Sequence, residues 1–322
     1  MKVLITSNSF GKFDPKPKKF MESLGWQVVG NRYHHIMNEA EMMEEVVGVD
    51  AIILGSDTVS KKVLEKADQL KIISRYGVGI DNIDLMEAKK RNIEVTVTKN
   101  CNTEAVADYA VGLMLATIRH ISNVDANLKQ GEWKKETGLD LCHKTIGVIG
   151  LGAIGRQVIK RLKGFDCHFL GYDKYLDKAY CKENNIEVLE PREIFKKADI
   201  ITLHAPGNPD GTPLIGKEEI GLMNKNTVII NTARASLVDE EALLEALENN
   251  EIYGYGTDVF DGEPHINEKF QALDNVVLSP HTAAVSVEAI NKMTSCAVDH
   301  ILEFFGIEKG EYYETNCMDK NR

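Results

Sequence analysis

The chain has no excess of positive charge. Its 38 lysines and arginines face 49 aspartates and glutamates, a formal net charge of −11 over 322 residues. Nucleic-acid binders carry a basic footprint, so that class of partner is not expected, and any site for an anionic ligand must be local. No apolar run approaches the ~20 residues of a membrane-spanning helix. The first residues, Met1-Lys2-Val3-Leu4-Ile5-Thr6, read as a strand and are too short an apolar run for a secretory leader. A cytoplasmic protein with no membrane partner is the expectation. The six cysteines (Cys101, Cys142, Cys167, Cys181, Cys296 and Cys317) are scattered, with no C-x-x-C pair and no metal-ligand spacing. That distribution predicts idle reduced thiols and no metal. Repeats, low-complexity tracts and long charge blocks are also missing.

What is present is alternation. Short β-branched runs recur between longer segments of helical period: Lys2 to Thr6, Asp50 to Leu54, Lys71 to Ser74, Ile93 to Val97, Thr145 to Ile149, His168 to Tyr172, Ile200 to Leu203, Val228 to Asn231 and Val276 to Leu278. Continuous apolar strands of this kind belong in parallel sheets covered by helices on both faces, which predicts an α/β fold. With 43% hydrophobic residues the chain can fill two cores. The polar stretch Lys99-Asn100-Cys101-Asn102-Thr103 marks one boundary, with Asn102 or Thr103 able to cap the next helix. That helix, read as Glu104 to about Ile121, is apolar and small on most sides and must be buried on most sides. A subunit contact is the expectation for its outer face, and a purely internal helix is the alternative. A second boundary falls near Ala283-Ala284, before a long helix over Val287 to Phe305 and a polar tail from Glu308 to Arg322.

The run Thr145 to Ile149 leads into Gly150-Leu151-Gly152-Ala153-Ile154-Gly155 and then into a helical pattern from Arg156. In that context Gly150 permits a tight turn, Gly152 lets backbone approach a pyrophosphate, and Gly155 lets helix and strand pack closely. The N–H groups of Ala153 and Ile154 lie at the positive end of the helix. One strand later Asp173 stands where a carboxylate can bind ribose hydroxyls and repel a 2′-phosphate, so NAD is expected over NADP, with Lys174 able to soften that preference.

Three further residues each follow a short apolar run. Arg234 ends Thr227 to Ala233, Glu263 follows Gly256 to Phe260, and His281 follows Val276 to Pro280. Ligands of open α/β sheets bind beyond the carboxyl ends of strands. An arginine fork there can grip a carboxylate, a histidine can take and return a proton, and an acid beside it can orient the imidazole. Each residue also has a plainer reading: a structural ion pair, a surface turn acid, a satisfied loop histidine. Taken together behind a dinucleotide fingerprint they point to hydride transfer between a nicotinamide and a 2-hydroxy or 2-keto acid.

Over about residues 45 to 305 the chain resembles the D-isomer-specific 2-hydroxyacid dehydrogenase family, its phosphoglycerate-dehydrogenase-like branch in particular. The resemblance rests on RYGVGIDNID (Arg75 to Asp84), NTEAVADYAVGLMLA (Asn102 to Ala116), GVIGLGAIGR (Gly147 to Arg156), INTARASLVDEEAL (Ile230 to Leu243), GTDVFDGEP (Gly256 to Pro264) and LSPHTA (Leu278 to Ala283). It implies two doubly wound parallel-sheet domains with the active site in the cleft between them: residues 1–100 with 285–322 binding substrate in a flavodoxin-like unit, and 101–284 binding NAD and making most of a homodimer. It also implies roles. Arg234 resembles the substrate-carboxylate arginine, His281 the acid/base, and Glu263 its partner. Asp258 resembles the aspartate that bonds the nicotinamide carboxamide, while Thr232, Ala233, His204, Ala205 and Pro206 resemble backbone contacts to the cofactor. The turn Tyr76-Gly77-Val78-Gly79 resembles the loop whose amides hold the substrate carboxylate.

Ala235, Gly211 and Asp108 depart from common family residues without touching the chemistry. Glu263 differs from the usual glutamine of formate dehydrogenases, and Val78 from the lysine of phosphite dehydrogenases. Arg75 resembles a phosphate-contacting arginine of phosphoglycerate dehydrogenases, but Gly55 stands where such enzymes often have a second one. The first expectation for substrate is 3-phosphoglycerate. Glyoxylate or hydroxypyruvate reduction, or action on another D-2-hydroxy acid, is the alternative. An NAD-sensing corepressor-like scaffold is the reading from another class, since such relatives keep the same three residues.

Overall fold

The computed structural model describes residues 1–308, which form two compact units. The polar tail after Glu308, Cys317 included, lies outside the described residues.

The first unit comprises Met1–Asn102 and the segment that begins at Ala284. Its elements are β1 (Lys2–Ile5), α1 (Lys16–Ser23), β2 (Gln27–Gly30), α2 (Glu39–Glu45), β3 (Ala51–Leu54), α3 (Lys61–Lys66), β4 (Ile72–Arg75), α4 (Leu85–Lys90) and β5 (Glu94–Val97). The late helix α13 (Val287–Phe304) completes it. All strand pairs are parallel, in the order β2-β1-β3-β4-β5. This is a flavodoxin-like winding with its switch point between β1 and β3. The central strand β3, Ala-Ile-Ile-Leu, is buried throughout, because α13 covers one side of the sheet and the core around Val46, Val63 and Leu64 covers the other. Short polar side chains start the helices. Asn38 and Glu41 form a reciprocal capping box on α2, and Ser60, Asp84 and Ser286 cap α3, α4 and α13.

The second unit, Thr103–Ala283, contains α5 (Thr103–Ile118), α6 (Ile121–Lys129), β6 (Thr145–Ile149), α7 (Ala153–Leu162), β7 (His168–Tyr172), α8 (Lys178–Glu183), β8 (Ile186–Val188), α9 (Pro191–Lys197), β9 (Ile200–Leu203), α10 (Lys217–Ile220), β10 (Val228–Asn231), α11 (Glu240–Glu248), β11 (Gly254–Thr257), α12 (Glu268–Gln271) and β12 (Val276–Leu278). Its seven parallel strands run β12-β11-β10-β9-β6-β7-β8. The order reverses between β6 and β9, so those two carboxyl ends open onto the crevice where such sheets bind ligands.

Two readings of the sequence change. The helix expected from Glu104 to about Ile121 is α5, which stops at Ile118; His120, with a left-handed backbone (φ 52°) and a ring nitrogen 2.8 Å from the Tyr253 hydroxyl, separates it from α6, a further helix that the sequence reading did not include. α5 buries Val106, Ala107, Ala110, Leu113 and Met114 against α7, β10 and β11, so the larger part of its apolar surface is internal to this unit. The strand read as Gly256 to Phe260 instead spans Gly254–Thr257. Its glycines allow α5 to lie close: a Cβ at Gly256 would stand 2.7 Å from the Thr117 hydroxyl oxygen.

Candidate active site

The glycine loop follows β6 at the switch point. Gly150 has φ +98°, and a Cβ there would lie 2.6 Å from the His204 carbonyl. A Cβ at Gly155 would lie 2.0 Å from the Gly150 carbonyl oxygen. Both glycines are therefore demanded by the protein's own backbone. Gly152 is different. Its φ of −74° suits any residue, and a Cβ would meet only open space. Packing does not explain a glycine there, whereas close approach of a phosphate does. The first-turn N–H groups of α7, among them those of Ala153 and Ile154, have no partners within the helix and face that space with the positive end of its dipole. Asp173 closes the other side. Its Oδ2 accepts the Leu151 N–H and its Oδ1 accepts the Tyr175 N–H, both at 2.7 Å. An ionised carboxylate offers about four acceptor positions, so two remain for a ribose diol. These residues fit the pyrophosphate and ribose of NAD.

His204, Ala205 and Pro206 follow β9 beside this loop. Desolvation pushes the His204 imidazole down to about 3, and the ring shares a 2.8 Å hydrogen bond with Thr202. It adds no positive charge near neutral pH.

Three strand ends further along the sheet carry the candidate chemistry. At the end of β10 the Asn231 side chain accepts the Ala233 N–H at 3.0 Å and donates to the Arg234 carbonyl at 2.8 Å, an Asx turn that fixes Thr232 to Arg234. The Arg234 guanidinium donates to the Ala233 carbonyl at 2.6 Å. The Thr232 hydroxyl is buried and has no partner among the described residues.

After β11 comes Asp258, which is buried. The resemblance placed its carboxylate at the nicotinamide, but here three donors of one loop converge on it. Oδ1 accepts the Thr282 N–H at 2.8 Å and the Ser279 hydroxyl, and Oδ2 accepts the Ala283 N–H at 2.7 Å. Asp258 thereby clasps the segment that displays His281, whose own backbone is left-handed at φ 50°. The His281 Nδ1 lies 2.7 Å from Glu263 Oε2, and Glu263 Oε1 accepts the Phe260 N–H at 2.9 Å. Burial pushes the Glu263 carboxyl up. The bond and charge of His281, the Phe260 N–H and the charge of Arg234 outweigh it and hold the group below its ordinary 4.5.

The loop of the first unit is organised differently. Arg75 turns back on its own chain: Nε donates to the Gly79 carbonyl at 2.8 Å, and Nη1 donates to the carbonyls of Leu54 and Tyr76. The Tyr76 N–H donates to the Leu54 carbonyl at 2.8 Å, and the Gly77 N–H donates to the Thr98 hydroxyl oxygen at 2.8 Å. The expectation that Gly77 offers its amide to a substrate carboxylate is therefore corrected, because that amide is committed within the unit. The Val78 and Gly79 amides donate to no other described residue. Gly55, the position of the missing second arginine, is closely packed, with a Cβ there 3.2 Å from Ser7 and Thr6.

Reasoning from sequence missed Asn231, Ser279 and Thr98. An asparagine closing a strand is a turn signal that could have been read. Ser279 and Thr98 show their partners only once distant segments meet.

Residues 111–283 match the family model described as D-isomer specific 2-hydroxyacid dehydrogenase, NAD binding domain. The chain is 42% identical over 257 residues to a D-3-phosphoglycerate dehydrogenase of Methanocaldococcus jannaschii, a match covering 79% of this chain but 49% of that one. It thus spans about half the length of that relative. A glyoxylate reductase of Thermococcus litoralis is 40% identical over 280 residues, 84% of each chain. Among solved structures, the TT0316 protein of Thermus thermophilus superposes with a TM-score of 0.85 at 31% identity, covering 96% of this chain and 99% of that one. With the dinucleotide loop, the Glu263–His281 pair and these matches together, the chain belongs to the D-isomer specific 2-hydroxyacid dehydrogenase family, oxidoreductases that act with NAD(H) on the CH–OH group of 2-hydroxy acids.

Proposed function

We propose that the protein interconverts a small unphosphorylated 2-keto acid, of the glyoxylate or hydroxypyruvate class, and its D-2-hydroxy acid, with His281 as acid/base. One observation carries the assignment: the 2.7 Å contact of His281 Nδ1 with a carboxylate held below its ordinary pKa. An ionised Glu263 accepts only, so Nδ1 carries the proton and Nε2 keeps its lone pair for the substrate hydroxyl. In oxidation Nε2 takes the hydroxyl proton as C2 gives up hydride. In reduction the imidazolium returns a proton to the carbonyl oxygen. Bound NAD(H), held by Gly150 to Gly155 and Asp173, supplies the hydride acceptor or donor. Arg234 grips the substrate carboxylate. The first unit is the substrate domain in this reading, and the donors it offers are the Val78 and Gly79 amides.

The substrate class rests on Arg75 and Gly55. Arg75 donates to three carbonyls of its own unit, and Gly55 carries no cation and is tightly packed against Ser7 and Thr6, so the features associated with a phosphate are weak. The 40% identity to a glyoxylate reductase over 84% of both chains supports the same choice. The second reading, 3-phosphoglycerate, keeps support from the 42% identity to a phosphoglycerate dehydrogenase. A homodimer through the second unit belongs to the proposal too, since α6 buries no residue and Ile121, Leu128 and Trp133 are exposed.

The test is a panel of glyoxylate, hydroxypyruvate and 3-phosphohydroxypyruvate, each with NADH and NADPH. The expected result is a higher kcat/KM for the first two, with NADH preferred. A tenfold advantage for the phosphorylated acid overturns the substrate class, and no turnover with any 2-keto acid overturns the dehydrogenase reading in favour of a scaffold.

A further inference from the structure

At the opposite, amino-terminal edge of the second sheet, two turns lie side by side. Cys142 and His143 occupy the turn before β6, and Asp166 the turn before β7. Asp166 lies 23 or more residues from the other two in sequence, so no spacing rule joins them. Strand pairing does. Thr145 stands opposite His168, the His143 N–H donates to the Phe165 carbonyl at 3.0 Å, and the His168 N–H donates to the Lys144 carbonyl at 2.9 Å. The result gathers one thiol, one imidazole and one carboxylate whose donor atoms all lie within 4.8 Å of one another. His143 and Asp166 both sit in the left-handed backbone region, at φ 62° and 52°. For residues other than glycine such a conformation is uncommon, and adjacent instances mark a place worth a functional explanation.

We propose that Cys142, His143 and Asp166 form a surface site for a thiophilic divalent cation of the Zn²⁺ type. The donor set decides the ligand. Thiolate and imidazole select zinc-like ions over Mg²⁺ or Ca²⁺, which prefer oxygen alone. Tetrahedral bonds of about 2.0 to 2.3 Å place donors about 3.4 Å apart, so the three side chains close on an ion by moving about 1 Å, with a water as fourth ligand. All three are exposed, so the ion has access. The neighbouring Cys167 is not part of the set, because its thiol turns inward to the Leu141 carbonyl. The ion clips together the two turns that launch β6 and β7, remote from the glycine loop at the other ends of those strands, so the site acts on stability rather than on turnover.

Co²⁺ titration of the full chain tests this. The expected result is a near-ultraviolet thiolate-to-cobalt band, displaced by Zn²⁺, and a rise in melting temperature with Zn²⁺. Cys142→Ser should abolish the band. His143→Asn and Asp166→Asn, which tolerate a positive φ and so preserve the turns, should each weaken Zn²⁺ binding at least tenfold. Cys101→Ser serves as control and should bind as the unmodified chain does. Absence of the thiolate band, or equal Zn²⁺ affinity in the three site variants and the unmodified chain, overturns the proposal.

Discussion

The two units use opposite means at their strand ends. In the second, side chains project from the carboxyl ends of β10, β11 and β12, and the surrounding backbone and carboxylates hold them still: Asn231 shapes the turn under Arg234, Asp258 clasps the loop of His281, and the Phe260 amide orients Glu263. In the first, the arginine that ends β4 turns back to carbonyls, and the Val78 and Gly79 amides donate to no other described residue. One unit displays side chains braced by backbone, and the other displays backbone braced by a side chain. Substitution should therefore act on chemistry in the second unit and on affinity in the first.

The largest test of that contrast is His281→Ala. Loss of a positioned acid/base should lower kcat by about two to four decades while the NADH dissociation constant changes little. Stopped-flow turnover and fluorescence titration measure the two separately. If the NADH dissociation constant rises as kcat falls, the imidazole is a cofactor contact and the contrast between the units fails.

Much of the second unit was legible because its functional residues sit in contiguous motifs with local causes. The glycine loop needs glycines where backbone crosses backbone, and Arg234, Glu263 and His281 each follow an apolar run. What escaped depends on contacts distant in sequence. β2 and β8 are short edge strands whose Gln27, Gly30, Glu187 and Val188 are exposed, so they lack the apolar continuity that identified the inner strands. β11 is Gly-Tyr-Gly-Thr, a poor strand by propensity that exists because α5 lies against its glycines. The commitment of the Gly77 amide to Thr98, 21 residues away, is likewise invisible until β4 and β5 pair. The same holds for the cluster of Cys142, His143 and Asp166, which no spacing in the sequence brings together and only the pairing of β6 with β7 does.

The first unit is tested by Arg75→Lys. An ammonium cannot span the carbonyls of Leu54, Tyr76 and Gly79 as the planar fork does, so the loop loosens. With one or two hydrogen bonds to a charged group lost, the KM for the 2-keto acid should rise about tenfold, with kcat and NADH affinity nearly unchanged. The loss should be the same for glyoxylate and 3-phosphohydroxypyruvate. A selective loss for the phosphorylated acid would mean that Arg75 contacts phosphate and does not merely brace the loop, and the contrast between the units would fail.

The smallest expected effect concerns acid stability and belongs to the second unit only. In the folded chain Glu263 titrates below its ordinary 4.5, so the native state binds fewer protons there than the unfolded chain does. Stability from this group is complete above that ordinary value and is lost as pH falls through the lower folded value. Glu263→Gln should remove the dependence. The loss at pH 7 is about 1 kcal/mol or less, because the imidazole side of the pair is open to water, and it should shrink as pH falls through the lower folded value. Urea midpoints followed by circular dichroism from pH 3 to 7 report the difference. Arg75→Lys, whose guanidinium and replacement ammonium both stay charged over that range, should shift the midpoint by the same amount at every pH. Two parallel curves for Arg75→Lys and two converging ones for Glu263→Gln are the outcome that the opposed bracing of the two units requires.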